Sequence, residues 1–453
     1  MTAARPLSHD RRVRTGELLG ALSEALDLSE GAAPGHSLRA CAFAMRLADA
    51  MELSETQRES LFYAAMLKEA GSSATASAAA RVTGTSDIDL KRDFGRLNPT
   101  DGLGAARFAL RHMPAEAPTA RARRLARLAA RIDSPTQVLR SGRRERAAAI
   151  AHSLGLGRGV AEGIAGLDER WDGRGKPDGL RGSAIPVVSR VLTIADVAAR
   201  SSTAGGQRAA VRALRRGRRH AFDPEIVDLL VRLGRLGLWR ELSAPGVEER
   251  TIALEPGAAL RLAEEDEIDA ISFAFAGIVD AKAPFLQGHC SRVGEIAARM
   301  GAHLNLAAAD VTDLRRAGWL HDIGKLAVPN TILDKAAPLD AAERAIVLRH
   351  PEESARILAR LPAFGRIAEM AASHHERLDG TGYHRGLKAD QINLGTRVLA
   401  VADSYEALTA SRPQREAFSP DEALEAIQAA SGSQLAPEAV EALRAVVAED
   451  LRL

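Results

Sequence analysis

The chain is written twice, and that repetition constrains its fold more than any other feature. The segment LDERWDGRGKPDGLRGSAIPVVSRVLTIADVAA from Leu167 aligns without a gap to HHERLDGTGYHRGLKADQINLGTRVLAVADSYEA from His374, at an offset of 207 residues. Upstream, PGHSLRACAFAMRLADAMELSE around His36 pairs with QGHCSRVGEIAARMGAHLNLAA around His289, and YAAMLKEAG with RAGWLHDIG, both at an offset of 253. The two offsets place about 46 extra residues in the first copy, between Glu69 and Leu167. After each block comes a matching tail, RAAVRALRRGRRHAFDPEIVDLL in the first half and EALEAIQAASGSQLAPEAVEALR in the second. Each copy must therefore fold as one unit, and 453 residues are enough for two cores.

Apolar residues recur at helical spacing, as at Val293, Ile296, Ala297, Met300 and Leu304, and no stretch alternates with period two for long. Aromatics are only 4% of the chain, against abundant Ala, Leu and Arg. The expectation is an all-α protein of two tandem helical bundles: residues 1–248, a polar Pro- and Gly-punctuated linker over 249–266, and residues 267–453.

Net charge of +2 demands neither nucleic acid nor an acidic membrane as partner. No apolar run approaches twenty residues and the N-terminus has no apolar core, so no membrane span or export signal is expected and the compartment predicted is the cytoplasm. Cys41 and Cys290 cannot build a disulfide framework and read as packing residues. Two Arg-rich stretches, RARRLARLAARID from Arg121 and RALRRGRRH from Arg212, lack interleaved aromatics and read as solvated helix faces. No zinc-finger or helix-turn-helix pattern is present, and no DNA-binding domain is expected.

Seven of the twelve histidines fall between His289 and His384. His289 shares a helix face with Val293, Ile296 and Met300; His321 follows Leu314, Ala317 and Gly318, with Asp322 beside it. His350 continues the face of Ile346 and Val347, His374 that of Ile367, Met370 and Ala371, and Asp403 that of Leu399 and Ala402. One such histidine is usually a satisfied core residue. Five helices each turning His or Asp inward is different, because burying them together without a cation carries a heavy desolvation cost that a pair of divalent ions removes.

The order of HDIGKLAVPNTILDK, HHERLDGTGYHRGL and VLAVADSYEALTASRPQR, from about Asp280 to Arg415, resembles the HD-GYP family of the HD-domain metal-dependent phosphohydrolase superfamily. The resemblance implies a phosphodiesterase acting on a cyclic dinucleotide, cyclic di-GMP foremost. It implies that His289, His321, Asp322, His350, His374, His375 and Asp403 ligate two divalent transition-metal ions, iron or manganese, with Asp322 as the bridge. Lys325 would neutralise a phosphate oxygen, and Tyr383, Arg412 and Arg415 would contact the nucleotide. Such an ion pair would activate a water shared between the ions and clamp the phosphate for in-line attack. Phe285 stands where the family's optional third-metal carboxylate would fall, so two metals are expected, not three.

Three departures stand out. The signature triplet reads Gly382, Tyr383, His384, without the family's proline; Leu378 replaces a Trp, and Asn393 a Pro. These touch a loop and not the ligands, leaving open another nucleotide as substrate within the superfamily. The first half has Lys68 and Glu69 at the positions of His321 and Asp322, and Leu167 and Asp168 at those of His374 and His375. Only His36 and Asp196 remain there, so this half is expected to be catalytically dead and regulatory, acting through the catalytic half, a second copy or another signalling protein. A reading of a different class is a non-catalytic scaffold with structural metals.

Overall fold

A computed structural model describes residues 13–77, 80, 84–94, 146–257, 262–412 and 415–450. The expectation of an all-α fold is met: among the described residues the regular elements are helices, with only isolated β-bridges. The stretch from Arg121 lies outside the described residues. No described helix is long and apolar enough to cross a membrane.

Two compact units divide the chain, Arg14–Leu262 and Ala263–Leu453. The first is built from α1 (Thr15–Ser29), α2 (His36–Ala50), α3 (Glu55–Leu67), α4 (Asp87–Phe94), α5 (Arg158–Ala165), α6 (Val187–Gly217), α7 (Pro224–Arg235), α8 (Leu238–Leu242) and α9 (Val247–Ile252). Helix α2 is central, packed between α3 and α6 with α1 and α9 beside it. Part of the expected linker over 249–266 is thus structure. Helix α9 packs on α2, the Gly16 amide (2.7 Å) and the Tyr63 hydroxyl (2.8 Å) both donate to Glu255 Oε1, and Glu265 already opens the next helix.

The second unit comprises α10 (Glu265–Asp280), α11 (His289–His303), α12 (Ala308–Leu320), α13 (Asn330–Leu333), α14 (Ala341–Val347), α15 (His350–Leu358), α16 (Gly365–Ser373), α17 (Leu394–Thr409), α18 (Pro420–Ala430) and α19 (Pro437–Asp450). Here α11 is central, against α12, α17 and α19. It meets α12 where a Cβ on Gly318 would come 2.4 Å from the Gly294 backbone, so the crossing requires glycine.

The repeat is reproduced in detail. Helices α3 and α12 coincide at the offset of 253, and both α2 and α11 start after a left-handed glycine, Gly35 and Gly288, each with φ of 74°. An aspartate on the preceding helix accepts from each of these helix starts: Asp27 from Ser37 N (3.1 Å) and Asp280 from Cys290 N (3.0 Å). Helix α6 runs on through a kink at Gly205 and Gly206, whereas its counterpart stops at Thr409 and a loop precedes α18. The arginines Arg212, Arg215 and Arg216 lie exposed on the far part of α6, and Arg218 pairs with Asp228.

Candidate metal centre

The ends of helices, more than their middles, deliver the inward side chains of the second unit. His289 opens α11, His321 follows the last residue of α12, His350 opens α15 and His374 follows α16, while Asp403 projects from within α17. The expectation that His350 continues the face of Ile346 and Val347 is corrected. Helix α14 ends at Val347, Ile346 is exposed, and a new helix starts at His350 with Pro351 at its first turn. His289, His321, His350, His374 and Asp403 are buried, and His375 is a quarter exposed.

Three of the rings are oriented by the backbone. Nδ1 of His321, His350 and His374 each lies 2.8 Å from a carbonyl three residues back, those of Gly318, Val347 and Ala371. Carbonyls only accept, so each Nδ1 carries a proton and Nε2 is the nitrogen whose lone pair, in the neutral ring, faces inward. Those lone pairs converge. Nε2 of His350 and of His374 are 3.3 Å apart, and lie 3.2 and 3.9 Å from Asp322 Oδ1. On the other oxygen of the same carboxylate, Asp322 Oδ2, His289 Nε2 sits at 3.3 Å and His321 Nε2 at 3.4 Å. Asp403 closes the ring, its Oδ1 3.4 Å from His289 Nε2 and its Oδ2 3.9 Å from His375 Nδ1.

The residues fit a resident cation. His289 Nε2, His321 Nε2 and Asp322 Oδ1 are buried without a hydrogen-bond partner, a costly arrangement for neutral protein atoms alone. Three groups have ligand atoms close enough to share an ion: His350, His374 and His375; His289, His321 and Asp322; and His321, His374 and Asp403. Among the described residues, all such groups lie in this unit.

Electrostatics divides the cluster. Burial pulls the His321 imidazolium down, but Asp322 and Asp403 outweigh it and push it up to about 10; Asp322 and Glu406 likewise raise His289. Burial lowers His350, His374 and His375, reinforced for the last two by neighbouring imidazoles. Burial would raise Asp322, yet His321 and Lys325 hold it well below the usual carboxylate range. The Lys325 ammonium reaches Asp322 Oδ2 directly, so this lysine faces the cluster and is not a surface group.

The expected nucleotide contacts are less uniform. Tyr383 lies beside the cluster with its ring centroid 4.7 Å from that of His375. Arg412 places its guanidinium 5.3 Å from the centre of the Phe285 ring. Arg415 is otherwise engaged: its guanidinium donates to the carbonyls of Ala407 (2.7 Å), Leu408 (3.0 Å) and Glu416 (2.7 Å), closing the end of α17.

Two acids escaped the sequence reading. Glu376 is buried and takes the amides of Arg385 (2.7 Å) and Leu387 (2.9 Å), fastening the loop that carries Tyr383; Glu169 does the same for Asp178 and Leu180 in the first unit. Glu406 binds His289 and Arg292. The signal for Glu376 was present, since this glutamate is shared by both copies of the motif. For Glu406 no sequence pattern pointed to it.

In the first unit a lysine stands in the equivalent place. The buried Lys68 Nζ is 3.3 Å from Glu69 Oε1, 3.2 Å from Asp196 Oδ1 and 3.2 Å from Ser37 Oγ. His36 Nε2 donates to Asp196 Oδ1 at 2.8 Å, and Arg200 Nη2 lies 3.3 Å from Asp196 Oδ2. Burial disfavours the Lys68 ammonium, but Asp196, Glu69 and Asp27 outweigh it and keep it charged.

Comparison with known proteins agrees with this architecture. An HD domain family model matches residues 120–226 and 274–438. The 3'3'-cGAMP-specific phosphodiesterase 3 of Vibrio cholerae is 35% identical over 430 residues, covering 94% of this chain and 93% of that one. A cyclic di-GMP phosphodiesterase of Thermotoga maritima is 39% identical over 156 residues, 34% of this chain and 42% of its own. The crystal structure of a cyclic GMP-AMP specific phosphodiesterase of V. cholerae superposes with a TM-score of 0.68 at 31% identity, covering 96% of this chain and 98% of that one. Matched along both units and carrying the HD motif at His321 and Asp322, the chain belongs to the HD-domain family, in its HD-GYP branch.

Proposed function

We propose that the unit Ala263–Leu453 is a metal-dependent phosphodiesterase that opens a cyclic dinucleotide, holding two divalent ions through His289, His321, Asp322, His350, His374, His375 and Asp403. The observation that carries this is the convergence of Nε2 lone pairs, fixed by carbonyls at Nδ1, on the two oxygens of one buried aspartate. Imidazoles so arranged repel one another unless a cation lies among them. Asp322, with two histidines near each oxygen, has the form of a bridging carboxylate. An all-nitrogen and oxygen donor set suits iron or manganese.

Divalent ions in this seat supply an activated water and a Lewis-acid clamp for the phosphate. The chain's own part is to bind and orient. Lys325, beside Asp322, offers its ammonium to a non-bridging phosphate oxygen, where negative charge grows during attack. Tyr383, beside His375, and Arg412, over Phe285, offer groups to the nucleotide, and Arg415 pairs with Arg412 in the loop that presents it. The first unit holds no metal and acts on the second by differential contacts between states, or through a second copy or another signalling protein.

The relative matched along both units is named for 3'3'-cGAMP, and this supports that dinucleotide as the preferred substrate. The relatives named for cyclic di-GMP match from about a third to half of the chain, and support that substrate as a second reading. The test is protein purified without oxygen and with iron and manganese supplied, analysed for metal and incubated with both dinucleotides in competition. About two ions per chain and faster loss of 3'3'-cGAMP are expected. Trace metal, or no cleavage of either, overturns the proposal.

A further inference from the structure

One buried carboxylate, that of Glu406, touches both sides of this site. It sits on α17 one turn beyond Asp403 and is 2% exposed. Its Oε2 meets His289 Nδ1, at the opposite edge of the ring from Nε2, which faces Asp322 at 3.3 Å and Asp403 at 3.4 Å. An imidazole that gives Nε2 to a cation keeps its proton on Nδ1, so an acceptor at Nδ1 selects the tautomer and fixes the ring plane. The three other oriented histidines take that acceptor from the main chain. His289 opens its helix just after the left-handed turn at Gly288 and takes it from Glu406 instead.

Arg412 approaches the same carboxylate, with Nη2 3.6 Å from Glu406 Oε2. Its guanidinium is also stacked over Phe285, and its backbone is paired with that of Arg415 at 2.8 and 3.1 Å. Arg292 Nε holds the other oxygen at 3.0 Å and stops the carboxylate from turning. The first unit provides an internal comparison. Ala199 occupies the position of Glu406, and Arg39, the counterpart of Arg292, turns to Glu248 (3.2 Å). The carboxylate is absent from the unit that lacks most of the ligands, although His36 and Asp196 are kept there.

We propose that Glu406 is a positioning residue shared between the metal seat and the nucleotide side: it sets His289 for an ion and holds Arg412 over Phe285 for the substrate. This rests on the reading of the second unit as a metal-dependent cyclic dinucleotide phosphodiesterase. The two duties separate experimentally in the full-length protein through Glu406→Gln, Arg412→Ala and their combination. Glu406→Gln loses half its metal at a chelator concentration about 10–100-fold lower than wild type, the range for loss of a group that orients a ligand. It also raises KM. Arg412→Ala raises KM with chelator resistance unchanged. In the Arg412→Ala background, Glu406→Gln adds no further rise in KM but still weakens metal retention.

Wild-type chelator resistance in Glu406→Gln overturns the first duty, and KM effects that multiply in the double variant overturn the second. A role in folding alone would lower the thermal transition and leave both readouts in place, which also overturns the proposal. If wild-type protein itself holds no ions or cleaves no dinucleotide, it is the underlying reading that fails. A metal-loaded, active wild type beside an indistinguishable Glu406→Gln refutes this inference alone.

Discussion

Replacing Lys68 by Met removes the ammonium from the first unit while keeping an unbranched stem of similar length. Glu69 and Asp196 then lose a cation at 3.3 and 3.2 Å, in a place where Lys68 is 1% exposed. Breaking a buried ion pair by removing one partner costs about 3–5 kcal/mol, because the remaining charge stays behind. Arg200 and His36 still reach Asp196, at 3.3 and 2.8 Å, so the lower end, about 3 kcal/mol, is the working figure. In a unit of this size each kcal/mol moves the transition by roughly 2–4 °C, which gives a fall of about 6–12 °C. The assay is differential scanning calorimetry of the full chain with and without chelator, with hydrogen exchange of α2 and α3 assigning the transition. Lys68→Met should lower the chelator-insensitive transition only. Adding Glu69→Gln and Asp196→Asn should recover more than half of the loss, since the two carboxylates nearest the ammonium are then neutral amides. A single variant within about 2 °C of wild type would show that the ammonium is not the counter-charge, and the reasoning would be wrong.

Replacing His321 and Asp322 together by Ala should remove most metal and abolish turnover, whereas Lys325→Ala should lower turnover by at least tenfold with metal content nearly unchanged; elemental analysis beside initial rates separates the two. Gly382→Ala should raise KM by an order of magnitude or more with both ions retained. A Cβ there would meet the Glu376 backbone at 2.4 Å and displace the loop bearing Tyr383, a shift readable by calorimetric titration of substrate. Residues 1–262 expressed alone should show neither a metal pair nor hydrolysis; their removal should alter the rate, the substrate affinity or the oligomeric state of the second unit, and a remainder unchanged in all three would refute the regulatory role.

Much of this was legible because the chain repeats itself. Alignment of the copies gave the two units, the spacing of apolar residues gave the helices, and the density of histidine on apolar faces pointed to the cluster. Side-chain direction in the loops was not legible. Arg415 looks like a nucleotide contact by its place in the motif, but its guanidinium is spent on two carbonyls at the end of α17 and on that of Glu416 in the loop beyond. At His350 the apolar run through Ile346 and Val347 masks a helix break whose signal, Pro351, lies one residue further on. The 249–266 segment is polar enough to read as a linker, yet Glu255 ties it to Gly16 and Tyr63, far away in sequence. Glu406 stayed hidden because its partners His289, Arg292 and Arg412 come together only when α11 packs on α17.

Because main-chain carbonyls aim His321, His350 and His374, that part of the seat is set by the fold itself. Such a preset cage differs from a zinc finger, whose fold is assembled by the ion. Its nitrogen and oxygen donors also accept several first-row cations of similar size. The choice among them then passes from the protein to its surroundings. An enzyme built this way would carry in its rate a record of which metal the cell had to spare when the chain was made, so the signal it erases would fade at a pace tied to metal supply.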